Sequence, residues 1–280
     1  MDNRQGMLYI CSTPMGNLKD VTLRLLEVLE EADVVVAEDT RHTLKLLNHF
    51  NIKKPLVSCH EHNEQARVGQ VITLLKEGKR VALVCDAGTP GISDPGAKVI
   101  AAAIDHSLPV THIPGPSAVV TALVLSGLDI SRFAFEGFLP RDKGERMKRL
   151  SELKEERRTM VFYEAPHRIL SVLKDMLTVF SGRKAALARE LTKLHEEVVR
   201  DTLEGIYEWA RQKPPRGEMV LLVEGFKGTA SKEEWWHSLS IEDHVEAYTQ
   251  KGMSTMEAIK QTARDRGLPK GDVYKVIHVR

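Results

Sequence analysis

The stretch Val81-Ala82-Leu83-Val84-Cys85-Asp86-Ala87-Gly88-Thr89-Pro90-Gly91 runs from an apolar, strand-like segment directly into a glycine- and proline-rich turn. Two similar turns follow apolar runs elsewhere, Ser12-Thr13-Pro14-Met15-Gly16-Asn17 and Pro114-Gly115-Pro116-Ser117-Ala118. Turns at the carboxyl ends of parallel strands converge on one crevice, where open α/β sheets bind ligands. Glycine lets the backbone approach a ligand closely, and proline fixes the path of the turn. The three turns together predict an α/β fold with a ligand site.

These turns carry no phosphate-binding signature. Both Gly-x-Gly-x-x-Gly and Gly-x-x-x-x-Gly-Lys-Ser/Thr are absent from the chain, which disfavours a dinucleotide cradle and a P-loop. A nucleotide-like ligand without a polyphosphate therefore fits better than NAD or ATP. Asp86 closes a buried strand, so its carboxylate needs donors, and a ligand hydroxyl or ammonium group would supply them.

The composition is that of a globular protein with two domains and room for a small third piece. The chain has 280 residues, of which 42% are hydrophobic, and its formal net charge is only +1. No apolar run reaches the roughly 18 residues that span a bilayer, and no signal peptide is evident, so we expect a soluble, cytoplasmic protein. Nucleic-acid binding would need local clusters of positive charge. An odd number of cysteines, without a Cys-x-x-Cys pair, argues against disulfides and zinc.

The order of patterns along the chain divides it into three parts. Residues 1–127 alternate short β-branched runs with helical patterns, which is typical of βαβ units and a parallel sheet. Residues 128–228 combine four or five strand-like runs with fewer helices, which predicts a mixed sheet. Residues 229–280 predict three short helices in a helix-turn-helix-like tail, with a capping box at Ser254-Thr255-Met256-Glu257. The fold class is therefore α/β, with two α/β domains and a helical tail.

Several polar clusters allow two interpretations. The stretches after Phe162 and Leu187 deliver Glu164, Glu190 and Lys193 at strand ends, either as ion pairs or as the lining of a substrate cleft. His60-Glu61-His62 beside Cys59 lacks a third ligand at a recognised spacing, so we predict no metal. The basic run from Arg141 to Arg149 reads as a solvated helix face or, together with cations of the tail, as a surface for a phosphate backbone. The tail cations are Lys260, Arg264, Arg266, Lys270, Lys275 and Arg280.

Eight motifs in order resemble those of the tetrapyrrole methylase superfamily, and within it the ribosomal RNA small subunit methyltransferase I family. The resemblance covers nearly the whole chain. The motifs are Ser12-Thr13-Pro14-Met15-Gly16-Asn17-Leu18, Ala37-Glu38-Asp39-Thr40-Arg41, Asp86-Ala87-Gly88-Thr89-Pro90, Pro114-Gly115-Pro116, Glu136-Gly137-Phe138-Leu139-Pro140, Phe162-Tyr163-Glu164, Ala188-Arg189-Glu190-Leu191-Thr192-Lys193 and Gly217-Glu218-Met219-Val220.

The resemblance implies S-adenosylmethionine-dependent 2′-O-methylation of cytidine 1402 in the decoding centre of 16S ribosomal RNA. It also implies a homodimer that acts on the small ribosomal subunit. Asp86, Gly88 and Thr89 would hold the methionine end of the cofactor, and Ser117 and Ala118 the next stretch. The residues that would close the pocket are Pro14, Tyr163, Glu164 and Met219.

Methyl transfer to a ribose hydroxyl needs in-line alignment in a dry site and benefits from a positioned base. Glu190 is the first candidate to act as that base or to orient the hydroxyl, and Lys193 could stabilise developing negative charge. Asp39 and Arg41 are alternatives on the facing domain.

Two other functions remain open at the level of sequence. A methyltransferase acting on a tetrapyrrole or another small molecule would share the cofactor site and would not need the basic tail. A non-enzymatic ribosome assembly factor would not depend on Asp86. A nicotinamide-dependent dehydrogenase is disfavoured because the glycine fingerprint is missing.

Overall fold

The computed structural model describes residues 6–228, residue 236 and residues 239–278. The chain divides into two compact units, Met1–Phe226 and Lys227–Arg280. The larger unit contains two five-stranded sheets. The smaller unit contains helices. Arg280, which the sequence placed among the tail cations, lies outside the described residues.

The first sheet is entirely parallel, in the order β3-β2-β4-β1-β5. Its strands are β1 (Met7–Cys11), β2 (Val34–Ala37), β3 (Leu56–Ser58), β4 (Arg80–Val84) and β5 (Val110–Ile113). Helices separate successive strands, as short β-branched runs alternating with amphipathic segments predict. They are α1 (Leu23–Glu31), α2 (Thr40–His49), α3 (Glu64–Lys76) and α4 (Ala97–Asp105), with α5 (Ala118–Ser126) following β5.

The second sheet is mixed, in the order β6-β7-β10-β8-β9. Only β6 and β7 run parallel, and the remaining pairs are antiparallel. Its elements are β6 (Phe133–Phe138), α6 (Lys143–Glu152), β7 (Thr159–Glu164), α7 (Ile169–Phe180), β8 (Lys184–Arg189), β9 (Glu197–Thr202), α8 (Leu203–Gln212) and β10 (Met219–Val223). The predicted α/β class, with one parallel and one mixed sheet, is confirmed.

Helix α5 joins the two sheets into one unit. It follows the last strand of the first sheet, yet it packs against β8, β9 and β10 of the second. Its buried Val119, Ala122 and Leu123 share a core with Val161 and Leu222. The segment that follows the first sheet thus contributes apolar side chains to the core of the second sheet.

Long-range hydrogen bonds fix the turns that follow the strands. Thr13 and Gly88 exchange backbone hydrogen bonds of 2.8 and 3.0 Å, which ties the turn after β1 to the turn after β4. The buried carboxylate of Glu64 on α3 accepts from the backbone N–H groups of Gly96 (2.8 Å) and Lys98 (3.0 Å). Glu64 thereby caps the start of α4 and fixes the end of the loop that connects β4 to α4.

Arg146 corrects the interpretation of the basic run as a wholly solvated face. It lies on α6 and is buried, with its Nη2 2.7 Å from Asp175 Oδ2 on α7. Its Nη1 donates to the backbone carbonyls of Pro140 and Arg141. The side chains of Arg141, Lys143 and Lys148 are exposed, so part of the run does face solvent.

The smaller unit contains α9 (Ile241–Gln250), α10 (Thr255–Arg266) and α11 (Lys270–His278). These helices enclose a small core that includes Val245, Ile259 and Val273. The capping box predicted at Ser254 and Glu257 is present. Arg266 points inward and donates to the carbonyls of Trp236 and Leu239, so it belongs to the packing of this unit rather than to a basic surface.

Among the described residues, no helix has the length and apolar character needed to cross a bilayer.

Replacing Arg146 with alanine should destabilise the protein strongly. The change leaves Asp175 buried without its cation, and breaking a buried ion pair in this way costs about 3–5 kcal/mol. The control is Arg211→Ala, which removes an exposed ion pair with Glu208 and should cost under about 0.5 kcal/mol. Urea denaturation followed by circular dichroism measures both; equal losses for the two variants would contradict the buried pair.

Candidate active site

The turns of both sheets enclose one cavity of about 510 Å³. Residues that follow β1, β2, β4 and β5 form one wall, and residues at the ends of β6, β7, β8 and β10 form the other. The first wall consists of Met15, Glu38, Asp86, Ala87, Gly88, Thr89, Ile92, Asp94, Ser117 and Ala118. The second wall consists of Phe138, Tyr163, Glu164, Ala165, Pro166, Glu190, Leu191, Lys193, Gly217, Glu218, Met219 and Val220.

A hydroxyl network supports the first wall from behind. The Oγ of Ser12 lies 2.8 Å from the Oγ1 of Thr89 and 3.1 Å from the Nε2 of His112. The Oγ1 of Thr13 donates to the carbonyl of Cys85 over 3.0 Å. These bonds connect the end of β1 to the turn that carries Asp86 and hold that turn in place. Ser12 and Thr13 are buried, so their hydroxyls depend on these partners within the protein.

The carboxylates of the first wall are held by backbone donors. Asp86 accepts from the N–H of Asp39 over 3.2 Å, and the N–H of Asp86 donates to Glu38 over 3.4 Å. Burial raises the pKa of Glu38, and the neighbouring negative charge of Asp86 adds to this effect. Burial and the charge of Glu38 together raise the pKa of Asp94 to about 6.

Aromatic rings and a buried carboxylate shape the second wall. Tyr163 packs edge-on against Phe135 at 5.1 Å between centroids and lies 5.5 Å from the half-exposed Phe138. Burial, followed by the charge of Asp94, raises the pKa of Tyr163 to about 12. The Oε1 of Glu164 accepts from the Ala165 N–H, whereas its buried Oε2 has no hydrogen-bond partner among the described residues.

A strained loop between β8 and β9 completes the second wall. Glu190 and Thr192 have φ angles of +50° and +65°, in the left-handed region that side chains rarely adopt. Lys193 Nζ lies 3.0 Å from Glu190 Oε1 and 3.1 Å from Glu218 Oε2. Glycines on both sides make room for this arrangement. A Cβ at Gly217 would lie 2.0 Å from Glu190 Oε1, and one at Gly16 would lie 2.4 Å from Lys193 Cγ.

The ion pair sets the protonation of this loop. Burial raises the pKa of Glu190, but the hydrogen bond and charge of Lys193 outweigh it, so the pKa of Glu190 is lowered. Burial disfavours charge on Lys193, yet its bonds to Glu190 and Glu218 raise its pKa overall. Glu190 is thus a weak base, better suited to holding Lys193 and accepting a hydrogen bond than to removing a proton.

Comparison with known proteins agrees with this arrangement. Residues 7–207 match the family model for Tetrapyrrole (Corrin/Porphyrin) Methylases. The chain is 50% identical to the ribosomal RNA small subunit methyltransferase I of Halalkalibacterium halodurans, over 98% of this chain and 95% of that protein. It is 44% identical to the protein of the same name from Bacillus subtilis, over the same shares.

The chain belongs to the ribosomal RNA small subunit methyltransferase I family. It is therefore a methyltransferase of the tetrapyrrole methylase superfamily, and its cofactor is S-adenosylmethionine. A solved uroporphyrin-III C-methyl transferase from Thermus thermophilus, in complex with S-adenosyl homocysteine, shares the fold. It has a TM-score of 0.57 at 18% identity and covers 78% of this chain and 96% of that one.

The cavity of this methyltransferase fits its cofactor. S-adenosylmethionine carries a positively charged sulfur and an ammonium group, and the described residues that line the cavity include six carboxylates and one lysine. Thr89 and Ser117 offer hydroxyls for a polar chain, and Tyr163, Ala165 and Met219 offer apolar contact for a flat ring. The Oε2 of Glu164, which has no hydrogen-bond partner among the described residues, is a further acceptor for a donor group of the ligand.

Most of the residues nominated from the sequence line this cavity. They are Asp86, Gly88, Thr89, Ser117, Ala118, Tyr163, Glu164, Glu190, Lys193 and Met219. Pro14 lies outside it, in a neighbouring cavity of about 100 Å³ that also touches Asp86. Asp39 and Arg41, the alternatives for catalysis, bind each other at 2.7 Å at the start of α2 and are absent from the lining.

Three acidic lining residues were not nominated from the sequence. Glu38 stands in a motif that was quoted, directly before Asp39, but the motif alone does not tell which carboxylate faces the cavity. Asp94 lies in the segment Gly91-Ile92-Ser93-Asp94-Pro95-Gly96. This segment directly follows the turn that begins at Asp86 and, like it, is rich in glycine and proline. Glu218 was part of the last motif. The density of turn residues around Asp94 was the signal that could have identified it.

Among the described residues, no group of three or more His, Cys, Asp or Glu side chains is placed to hold a metal ion, and the three cysteines are buried and free.

Replacing Gly217 with alanine should weaken binding of S-adenosylhomocysteine about tenfold or more. The new methyl group would collide with Glu190, move it away from Lys193 and change the second wall. Isothermal titration calorimetry measures the affinity. The matched control is Gly182→Ala, which has a similar φ of +77° but open space around the new Cβ. It should cost only about 1–2 kcal/mol of stability and leave binding unchanged; equal loss of binding in both variants would contradict the role of the contact.

Proposed function

We propose that this protein transfers the methyl group of S-adenosylmethionine to the ribose 2′-hydroxyl of cytidine 1402 in 16S ribosomal RNA, within the small ribosomal subunit. The observation that carries the proposal is the match to relatives named for small-subunit ribosomal RNA, which extends over 98% of the chain and therefore includes the smaller unit. The structural neighbours named for tetrapyrrole chemistry are at most 23% identical and cover at most 79% of it. They support the fold and leave the ribosomal RNA substrate as the better assignment.

In this proposal, the first wall binds the methionine end of the cofactor. Asp86 would bind the ammonium group, and Gly88 and Thr89 would offer backbone and hydroxyl donors to the carboxylate. Gly88 has a φ of +80°. Apart from Gly88 itself and its two chain neighbours, the nearest heavy atom to the position its Cβ would take is the carbonyl oxygen of Pro116, at 3.9 Å, so a ligand can approach the backbone there. Ser117 and Ala118 at the start of α5 extend this wall.

The second wall would hold the adenosine part of the cofactor. Tyr163, Glu164 and Met219 lie together at paired ends of β7 and β10, where Met219 is in register with Glu164. Bound S-adenosylmethionine supplies a methyl group on a positively charged sulfur, which becomes neutral when the methyl group leaves. Surrounding this part of the cavity with Phe138, Tyr163 and Leu191 keeps water away from the reacting centre.

The strained loop would receive the ribose. Lys193 is held between two carboxylates and is available to donate a hydrogen bond to an oxygen that becomes negative. Glu190, with its lowered pKa, would orient the hydroxyl. Exposed Arg141, Lys143 and Lys148, following β6, offer positive charge for phosphates.

We also propose that the protein acts in the cytoplasm as a homodimer. The exposed apolar side chains of Val120 and Val124, one turn apart on α5 and 55% and 68% exposed, support this proposal.

Mass spectrometry of 16S RNA tests the proposed reaction. Small subunits from a strain that lacks the enzyme are incubated with the protein and methyl-labelled S-adenosylmethionine. We expect one label, on the ribose of cytidine 1402. Asp86→Asn should weaken cofactor binding roughly tenfold to a hundredfold and lower the yield of label, because the variant loses a charged hydrogen-bond acceptor. Asp105→Asn, an exposed carboxylate at the end of α4, is the matched control. Label on a base or on another nucleotide would contradict the proposed target.

Replacing Lys193 with methionine separates catalysis from binding. Methionine keeps most of the apolar stem against Gly16 and removes the ammonium group. We expect turnover on saturated subunits to fall about 10²–10³-fold, as for the loss of one donor to a developing oxyanion. Affinity for S-adenosylhomocysteine, measured by calorimetry, should fall by less than about tenfold, because the methionine stem still fills the space beside Gly16 although Glu190 and Glu218 lose their cation. An unchanged turnover would show that Lys193 has only a structural role.

A further inference from the structure

The charges that line the cavity are unbalanced. Six of the described lining residues are acidic and one, Lys193, is basic. Lys193 is already bound to Glu190 and Glu218, and Glu164 has Arg168 at 3.3 Å. The remaining three carboxylates are Glu38, Asp86 and Asp94. No described lysine or arginine lies within 4.0 Å of their oxygens; His42 acts on Glu38 and Arg41 acts on Asp86 only as the weakest of the influences on each pair, and each of the three has another carboxylate in its surroundings.

Asp94 experiences this imbalance most strongly. It is partly buried, and the Cys85 thiol is its hydrogen-bonding neighbour. The titratable groups that face it are Glu38 after β2, Cys85 and Asp86 after β4, Tyr163 on β7 and Glu218 before β10. None of these groups carries positive charge. A partly buried carboxylate among acids favours a cation in the cavity, because a cation relieves repulsion that the protein leaves uncompensated.

We propose that Asp94 makes the cavity select the cofactor by the charge on its sulfur, so that it holds the positively charged substrate form and releases the neutral product form. S-adenosylmethionine and S-adenosylhomocysteine share their adenosine, amino and carboxylate groups. They differ in one methyl group and one positive charge. Methyl transfer therefore removes the feature that the carboxylates attract, and product release follows from the reaction itself. The inference depends on the cofactor and not on the RNA substrate.

The direction of the pH dependence follows from the raised pKa of Asp94. Below a pH of about 6 Asp94 is protonated and neutral, and above it the carboxylate is charged. The preference for the charged sulfur should therefore grow as the pH rises through this range. Glu38, whose pKa is also raised, contributes in the same direction. Groups common to both ligands titrate equally and cancel when the two affinities are divided.

The test is calorimetric titration of the full chain, without RNA, with S-adenosylmethionine and with S-adenosylhomocysteine. We expect the ratio of the two dissociation constants, product over substrate, to rise about tenfold between about pH 5 and about pH 7.5, equivalent to a pKa change of one unit. In Asp94→Asn the rise should be lost, and the ratio near pH 7.5 should fall about tenfold. Asp105→Asn removes the same charge at an exposed position and should retain the rise of the parent protein.

Thermal unfolding first establishes that Asp94→Asn is folded; if it is not, Glu38→Gln replaces it and should reduce the rise. A ratio independent of pH in the parent protein would overturn the proposal. So would a full rise retained in Asp94→Asn. If neither ligand binds, the cofactor assignment fails along with the inference, whereas a failure of RNA methylation leaves both affinities measurable and the inference intact.

Discussion

Lys193 is the contact on which the cavity depends. Its aliphatic stem lies against Gly16, in the turn after β1, and its ammonium group lies between Glu190 and Glu218 of the second sheet. One side chain therefore connects the carboxyl end of the first sheet to the strained loop of the second. The absence of a side chain at Gly16 and Gly217 is as necessary as the lysine, because a Cβ at either position would occupy the space of Lys193 or Glu190.

The strain in this loop has a physical source and a use. Two residues with side chains, Glu190 and Thr192, hold positive φ angles, which costs of order 1–3 kcal/mol each. The surrounding bonds compensate for that cost: Glu190 exchanges bonds with Glu218, and the Thr192 N–H donates to Glu196 over 2.6 Å. A loop fixed in this way presents its ammonium group at one position, which suits a reaction whose main requirement is alignment.

The two walls of the cavity differ in how their carboxylates are paired with positive charge. The carboxylates that line the first wall form no ion pair with a described lysine or arginine, whereas those of the second wall form ion pairs with Arg168 and Lys193. Lys193 lowers the pKa of Glu190, whereas burial raises the pKa of Asp94 and Glu38. Burial also raises the pKa of Glu164, which the charge of Arg168 offsets only in part. Carboxylates of the same chemical type thus take different roles around one cavity.

The sequence by itself determined the class of fold, and most of the residues it nominated line the cavity. Strand and helix patterns are local, so alternation of apolar runs with turn residues was enough to predict the parallel sheet, the mixed sheet and the three tail helices. Turn residues after strands also located Asp86, Gly88 and Thr89, because parallel strands bring their carboxyl ends to one edge.

Tertiary structure decided what depends on distant neighbours: that Arg146 is buried against Asp175, that Asp39 binds Arg41 instead of facing the cavity, and that Asp94 does face it. Burial and charge at a side chain come from residues far away in the chain, and no local pattern encodes them.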